Sequence, residues 1–150
     1  SSTTTDTAFA ASSSETHIWQ YNNSLPTKML KIKNGSDTTT VDFILDEQGN
    51  IAEEHWRKKN TEIETYYYYY NSKKQLTDIV RFNKRAQKLL PDYLFEYDNN
   101  GNTIKMTQVP AGSNNYFIWE YAYNTNGLKQ KEVCSNRAKT ILGTIEYRYQ

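Results

Sequence analysis

A unit of about 26 residues recurs along this chain and constrains its fold more than any other feature of the sequence. Each copy has a large residue, then a turn rich in Asp, Asn or Gly, then an aliphatic residue that begins a new apolar stretch. Near-equal spacings with matching flanks are not readily produced by chance, so we predict a tandem array of similar units. The large residues that precede the turns are Tyr21, Leu45, Tyr70, Tyr97, Tyr123 and Tyr149.

The residues before each turn alternate as they do in a β-strand. Before Tyr97, for example, Phe95 and Tyr93 occupy every second position, and period-two spacing places them on one face of a strand. Asp98 begins the turn, where its side chain can bond the backbone two residues on. Gly101 supplies the positive φ that a tight reversal needs. The unit is therefore predicted to be a β-hairpin.

Five such hairpins in series predict an all-β fold. We expect an antiparallel meander of about ten or eleven strands, forming a curved single sheet or half-barrel with little or no helix. The one stretch suited to a helical turn runs from Arg85 to Leu90 and is ended by Pro91. Because no helix is available to cover the aromatic face, the sheet is expected to curl, to fold over, or to pack against another copy.

Two segments are predicted from composition. Residues 1–15 are almost entirely Ser, Thr and Ala and are predicted to be a disordered tail or tether, because they bury too little surface to offset the entropy of ordering. Residues 16–150 are predicted to be the β-hairpin repeat domain. The tail suits a spacer behind a removed signal peptide or a lipid anchor upstream of Ser1, and equally a plain flexible terminus.

The charge and cysteine content exclude several classes of protein. Lys and Arg number 18 against 17 Asp and Glu, so no global field favours nucleic acid as a partner. The single cysteine, Cys134, excludes an internal disulfide framework and is predicted to pack as a small apolar residue. No run of about 18 apolar residues is present, so no membrane span is predicted.

No constellation of residues in the sequence indicates catalysis. The two histidines are His17 and His55, and neither lies near Cys134 in sequence. Glu53 and Glu54 are neighbours on a predicted strand, so their side chains should point to opposite faces. The Asp and Asn residues after Tyr97 suit a hairpin turn better than a calcium loop. We predict no catalytic residue, no metal ligand and no cofactor.

Two kinds of surface are candidates for binding. Tyr and Trp side chains can stack on sugar rings or anchor a protein partner, and the candidate ligand-binding residues are Tyr67, Tyr69, Trp119 and Tyr121. The connections between hairpins carry basic residues that a meander would place along one rim. These rim residues are Lys58, Lys59, Lys84, Arg85, Lys88, Arg137 and Lys139.

The segment from Tyr97 to Asn102, with Ile104 after it, resembles the tyrosine-aspartate (YD, or RHS-type) repeats of bacterial cell-surface and secreted proteins. The segment from Leu45 to Ile51 is similar with Leu in place of Tyr, and that from Tyr123 to Leu128 with Asn in place of Asp. The resemblance implies tandem β-hairpins in a curved sheet and an extracytoplasmic location, in the bacterial periplasm or at the cell surface. It implies no catalytic residues.

These observations favour a non-enzymatic binding or scaffold module at a bacterial cell envelope, with a glycan or another envelope protein as its partner. Two alternatives stay open at the level of sequence. One is a carboxylate-based polysaccharide hydrolase, which needs two carboxyl groups facing each other across a cleft. The other is a structural fragment of a longer repeat protein.

Overall fold

The computed structural model describes residues 3–7, 13–110 and 113–150. The chain divides into two compact units, Ser1–Tyr67 and Tyr68–Gln150, which are described separately below. The described residues form twelve strands and no helix, so the predicted all-β fold is confirmed. No helix that is long and apolar enough to cross a membrane occurs in the described parts of the chain.

The first unit is an antiparallel meander in which each strand pairs with the strand before it. Its last strand, β6, continues into the second unit. The strands are β1 (Thr3–Thr7), β2 (Ser14–Asn22), β3 (Leu25–Lys33), β4 (Asp37–Leu45), β5 (Ile51–Lys58) and β6 (Thr61–Tyr70).

The second unit repeats this arrangement after β6. All six residues of its last strand, β12, are exposed. The strands are β7 (Leu76–Asn83), β8 (Lys88–Tyr97), β9 (Thr103–Gln108), β10 (Phe117–Tyr123), β11 (Lys129–Asn136) and β12 (Ile141–Glu146).

Eleven strands follow from Ser14 onward, in agreement with the predicted ten or eleven, and β1 precedes them. Strand β1 lies in the segment predicted to be a tail. Its residues Thr3–Thr7 pair with β2, which is consistent with the preference of Thr for strands. Residues 1–2 and 8–12 of that segment lie outside the described residues, and for them the predicted disorder stays a prediction.

One turn geometry recurs along the chain, and the turn after Tyr97 shows it fully. The backbone N–H of Asp98 donates to the Asn102 carbonyl at 2.9 Å, and that of Gly101 donates to the Asp98 carbonyl at 3.1 Å. The Asp98 Oδ1 atom accepts from the backbone N–H groups of Asn100 and Asn102, both at 2.9 Å. Gly101 has a φ of 83°. One side-chain oxygen thus satisfies two N–H groups of the turn.

Four other turns share the two backbone hydrogen bonds, and two of them contain no glycine. Lys74 and Lys139 take the place of Gly101 with φ values of 63° and 64°, a conformation that costs a non-glycine residue some strain. The turn after β11 was not predicted, because it lies in a stretch that the sequence presents as a polar connection. The first residues of these four turns are Asp46, Asn71, Asn124 and Asn136.

We expect Asp98→Asn to leave stability at neutral pH unchanged, because Asn71 and Asn124 already fill this role. Hydrogen bonds from the backbone of Asn102 above all hold the pKa of Asp98 below its usual value. The stabilisation from Asp98 is therefore present above the unfolded pKa of about 3.9 and is lost as the pH falls through the lower folded pKa. Urea unfolding at several acidic pH values should show a smaller acid loss for Asp98→Asn than for the wild type.

The control for this experiment is Asp98→Ala, which removes the side-chain acceptor altogether. It should lower the midpoint of urea unfolding at every pH, since two turn N–H groups lose their partner. An Asp98→Ala variant as stable as Asp98→Asn at neutral pH would contradict the assigned role of this side chain.

The tyrosines that mark the repeat also link one hairpin to the one before it. In the second unit three of them donate the hydroxyl to a backbone carbonyl at the first residue of the returning strand of the preceding hairpin. This contact explains why Tyr, rather than Phe, recurs at the position. The pairs are Tyr97 with Leu76 and Tyr123 with Thr103, both at 2.6 Å, and Tyr149 with Lys129.

The interior of the first unit centres on Val41, which is fully buried. The strand register places Val41 between Met29 on β3 and Trp56 on β5, with Trp19 on β2 next to Met29. The Trp19 ring stacks on Phe43 with centroids 5.3 Å apart. A single row of side chains across four strands thus supplies the apolar packing of this unit.

The interior of the second unit lies around Cys134, which is 7% exposed and is buried as predicted. Trp119 on β10 pairs with Cys134 on one side and with Met106 on the other. Burial raises the pKa of the Cys134 thiol, so the sulfur is held in its neutral, less nucleophilic form.

Candidate binding face and cavity

The second unit carries an aromatic face formed by Tyr93, Phe95, Trp119 and Tyr121, and we use this name for these four residues. Tyr93 and Phe95 lie two apart on β8, and their rings stack with centroids 6.3 Å apart. Phe95 pairs with Met106 on β9, and Met106 pairs with Trp119 on β10. The register therefore places all four side chains on the same side of the strands, and each is half-buried.

Polar groups surround the Tyr121 end of this face. The Lys129 Nζ atom lies 4.6 Å from the centroid of the Tyr121 ring, within the range of a cation–π contact. The same Nζ atom is 2.7 Å from Glu132 Oε1. Burial raises the pKa of Tyr121, which keeps its hydroxyl protonated and able to donate. The face thus combines flat apolar rings with hydrogen-bonding groups at one end.

The predicted ligand-binding residues fall in different places. Trp119 and Tyr121 are brought together on β10. Tyr69, on β6 in the second unit, is 48% exposed. Tyr67 belongs to the first unit, where it is half-buried opposite Glu53 of β5. The aromatic face thus contains two of the four.

A cavity of about 410 Å³ lies at the end of the second unit, and we call it the rim cavity. The β7–β8 hairpin and the connection from β9 to β10 contribute its walls. Both polar and charged groups line it, which distinguishes it from a gap in apolar packing. The lining residues that matter for its chemistry are Arg81, Asn83, Arg85, Asp92, Ser113 and Asn114.

An ion pair forms one wall of the rim cavity. Arg81 Nε lies 3.1 Å from Asp92 Oδ2, and a second guanidinium nitrogen donates to Oδ1 at 3.3 Å. The two side chains are 22% and 17% exposed. Burial raises the pKa of Asp92, although the Arg81 guanidinium acts in the opposite direction. The guanidinium is therefore fixed in orientation.

The basic residues at this end of the second unit exceed the acidic ones. Arg85 lies in the exposed loop between β7 and β8 and makes no ion pair with any residue of the described chain. Arg137, in the turn after β11, donates to the Asn114 carbonyl at 3.1 Å. The antiparallel order of the strands brings both loops to the same end, as predicted for the positive rim. The other basic residues there are Lys84, Lys88 and Lys139.

The first unit contains a histidine between two carboxylates. His55 Nε2 lies 2.7 Å from Glu53, and Nδ1 lies 3.1 Å from Glu62. Burial lowers the pKa of His55, but the hydrogen bonds to both carboxylates outweigh it, so the net pKa is raised. The His55 ring thus lies between two carboxylates, one at each ring nitrogen. Glu54 instead accepts from the Trp56 indole at 3.0 Å, which confirms that Glu53 and Glu54 point to opposite faces.

Two ion pairs of the second unit, Arg81–Asp92 and Lys129–Glu132, are not predicted by the sequence. The β7–β8 register pairs Ile79 with Tyr93 and Val80 with Pro91, so Asp92 is the extra residue of a β-bulge beside Arg81. That signal exists only once the position of the turn is known. The rim cavity itself depends on how two loops approach each other, for which no local sequence pattern exists.

In the described ranges, no group of three or more His, Cys, Asp or Glu side chains is arranged to hold a metal ion. The chain was also compared with known protein families and with curated proteins. No family model and no curated protein matches it. The resemblance to tyrosine-aspartate repeats therefore stays a prediction.

Proposed function

We propose that this chain is a non-enzymatic binding module of the bacterial cell envelope and that it binds a glycan on its aromatic face. One observation carries the proposal: Trp119 and Tyr121 lie side by side on β10 with half-buried rings. Rings of this kind offer a flat apolar surface to a sugar, while hydroxyl and charged groups at the edge bond its hydroxyls. The envelope location rests on the resemblance to tyrosine-aspartate repeats.

The carboxylates that a hydrolase would use are engaged in other contacts. Glu53 bonds His55, and Glu54 accepts from Trp56. Asp46 Oδ1 accepts two backbone N–H groups of its own turn. Because glycoside hydrolysis needs two carboxyl groups on either side of the scissile bond, these contacts favour binding over catalysis.

We expect Trp119→Ala to weaken glycan binding about tenfold or more, since truncating a central aromatic residue commonly costs about 2 kcal/mol. Affinity electrophoresis against a panel of soluble neutral and acidic polysaccharides would identify a bound polymer, and isothermal titration calorimetry would give its affinity. Trp119→Phe should retain part of the affinity, because it keeps a ring in contact with Met106 and Cys134.

The matched control is Glu120→Ala, which truncates an exposed side chain on the opposite face of the same strand. It should bind like the wild type. Urea unfolding would verify that each variant is folded. A panel in which no polysaccharide binds, or a Trp119→Ala variant with wild-type affinity, would refute the proposed function.

A further inference from the structure

We propose that the rim cavity binds a carboxylate or sulfate group of an acidic polysaccharide. This proposal rests on the proposed function and specifies the class of glycan that is bound. The polymer would lie with its sugar rings on the aromatic face and direct an anionic substituent to Arg85. Three properties of the second unit lead to this inference: continuity between the two surfaces, the charge of the cavity, and its size.

The rim cavity adjoins the aromatic face. Asp92, in its wall, is the extra residue of a bulge next to Tyr93, and a bulge interrupts the alternation that would place neighbouring residues on opposite faces. A second cavity, of about 210 Å³, is lined by Arg81, Asp92, Tyr93 and Gln108 together. A chain of sugars stacked on the rings of β8 therefore reaches the cavity without leaving the protein surface.

The charge of the cavity favours an anion. Asp92 is already paired with Arg81, which leaves the guanidinium of Arg85 to act on a ligand. Its planar fork matches the two oxygens of a carboxylate or sulfate group. Lys84 and Lys88 flank Arg85 on the same hairpin, and they add positive potential that attracts an anionic polymer.

The size and the neutral lining suit a substituted sugar. A volume of about 410 Å³ is in the range of small-molecule sites, which is roughly 300–1,000 Å³. Asn83, Ser113 and Asn114 line the same cavity and supply amide and hydroxyl groups for the ring hydroxyls. A nucleic acid is a less suitable ligand, because the whole chain has a net charge of only +1.

The test uses three polymers that share one backbone: dextran, carboxymethyl dextran and dextran sulfate. Calorimetry should show that at least one of the two charged polymers binds about tenfold or more tightly than dextran. The comparison of carboxylate with sulfate identifies which anionic group is preferred. The preference should decrease as the salt concentration rises, because exposed charges are screened.

Arg85→Gln should remove most of this preference, measured as the ratio of the affinity for a charged polymer to the affinity for dextran. Arg85→Lys keeps the charge without the planar fork and should be intermediate. The matched control is Arg148→Gln, which removes an exposed arginine that does not line the rim cavity, and it should behave like the wild type.

The outcomes separate this inference from the proposed function. One possible outcome is that dextran binds in a Trp119-dependent manner and the charged polymers bind no more tightly. That result would overturn the anionic site and leave the proposed glycan binding intact. A preference that survives Arg85→Gln would also overturn it, as would a single-stranded oligonucleotide that binds more tightly than either charged dextran. If no polysaccharide binds at all, the proposed function itself fails.

Discussion

Replacing Val41 with Asp should remove most of the stability of the first unit, whereas Ile44→Asp on the same strand should leave it folded. Val41 is fully buried between Met29 and Trp56, so a carboxylate there would be ionised without a partner or would have to bind a proton. Either state costs several kcal/mol, against a total stability of roughly 5–15 kcal/mol for an ordinary domain. Ile44 is 48% exposed and points to the opposite face.

Val41→Ala gives a milder version of the same experiment. It should lower the free energy of unfolding by about 2 kcal/mol, the sum of lost burial and a small cavity, while Ile44→Ala should cost about 0.5 kcal/mol or less. Urea unfolding followed by tryptophan fluorescence would measure both, because Trp19 and Trp56 belong to the same row of side chains. Equal effects at the two positions would show that Val41 is not the centre of this unit.

The second large effect is expected at the Arg81–Asp92 pair. Asp92→Ala should lower the stability of the second unit by about 1–3 kcal/mol, because Arg81 would lose the carboxylate that accepts its hydrogen bonds. Arg81→Met combined with Asp92→Leu should be nearly neutral or stabilising. Burial raises the pKa of Asp92 despite Arg81, which indicates that ionised Asp92 costs stability at neutral pH.

The sign of this pH dependence follows from the raised pKa. Protonated Asp92 contributes favourably to the free energy of unfolding. This contribution is fully present below the unfolded pKa of about 3.9 and is lost as the pH rises through the higher pKa of the folded state. A double-mutant cycle measured by urea unfolding would isolate the pair. The exposed pair Lys105–Glu96, at 3.4 Å, is the control, and Glu96→Ala should cost at most about 0.5 kcal/mol. A similar cost for Glu96→Ala and Asp92→Ala would contradict this account.

Much of the fold could be predicted from the sequence because its determinants are local. A turn such as that at Asp98 is fixed by residues that are at most four apart, and the alternation of Tyr93, Phe95 and Tyr97 defines a strand without long-range information. The hairpins and their order follow from these two signals. The sequence does not reveal why Tyr ends most of the repeats, because the hydroxyls of Tyr97 and Tyr123 donate to carbonyls about 20 residues earlier in the chain.

The sequence predicts connections between hairpins that are longer than those in the structure. The segment from Lys58 to Thr65, for example, contains a two-residue turn at Lys59 and Asn60, both with positive φ, and strand on either side. Polar residues such as Glu62 and Glu64 pair in the ladder, because backbone hydrogen bonds join the strands whatever side chains they carry. Hydrophobic alternation therefore underestimates strand length in a sheet of this kind.

The candidate site was only half predictable. Trp119 and Tyr121 are visible as alternating aromatic residues on one strand, so their common face follows from period two. The rim cavity needs the approach of the β7–β8 loop to the connection between β9 and β10, which is a tertiary contact. Arg85 was identified as one of several basic rim residues, but its position at a cavity was not.

The strict sequence order of the strands has a consequence for how stability is distributed. Among the residues that the structure describes in each unit, strands contact only the strands immediately before and after them in the chain. The energetics are therefore those of a one-dimensional array with nearest-neighbour terms. The separation in sequence between contacting residues is short, which lowers the entropic cost of forming each hairpin during folding. In the described part of the second unit, β9 is bonded to β8 and β10, whereas β12 is bonded to β11 alone. We therefore expect the amide hydrogens of β12 to exchange with solvent faster than those in the middle of the unit, which hydrogen-exchange measurements would check.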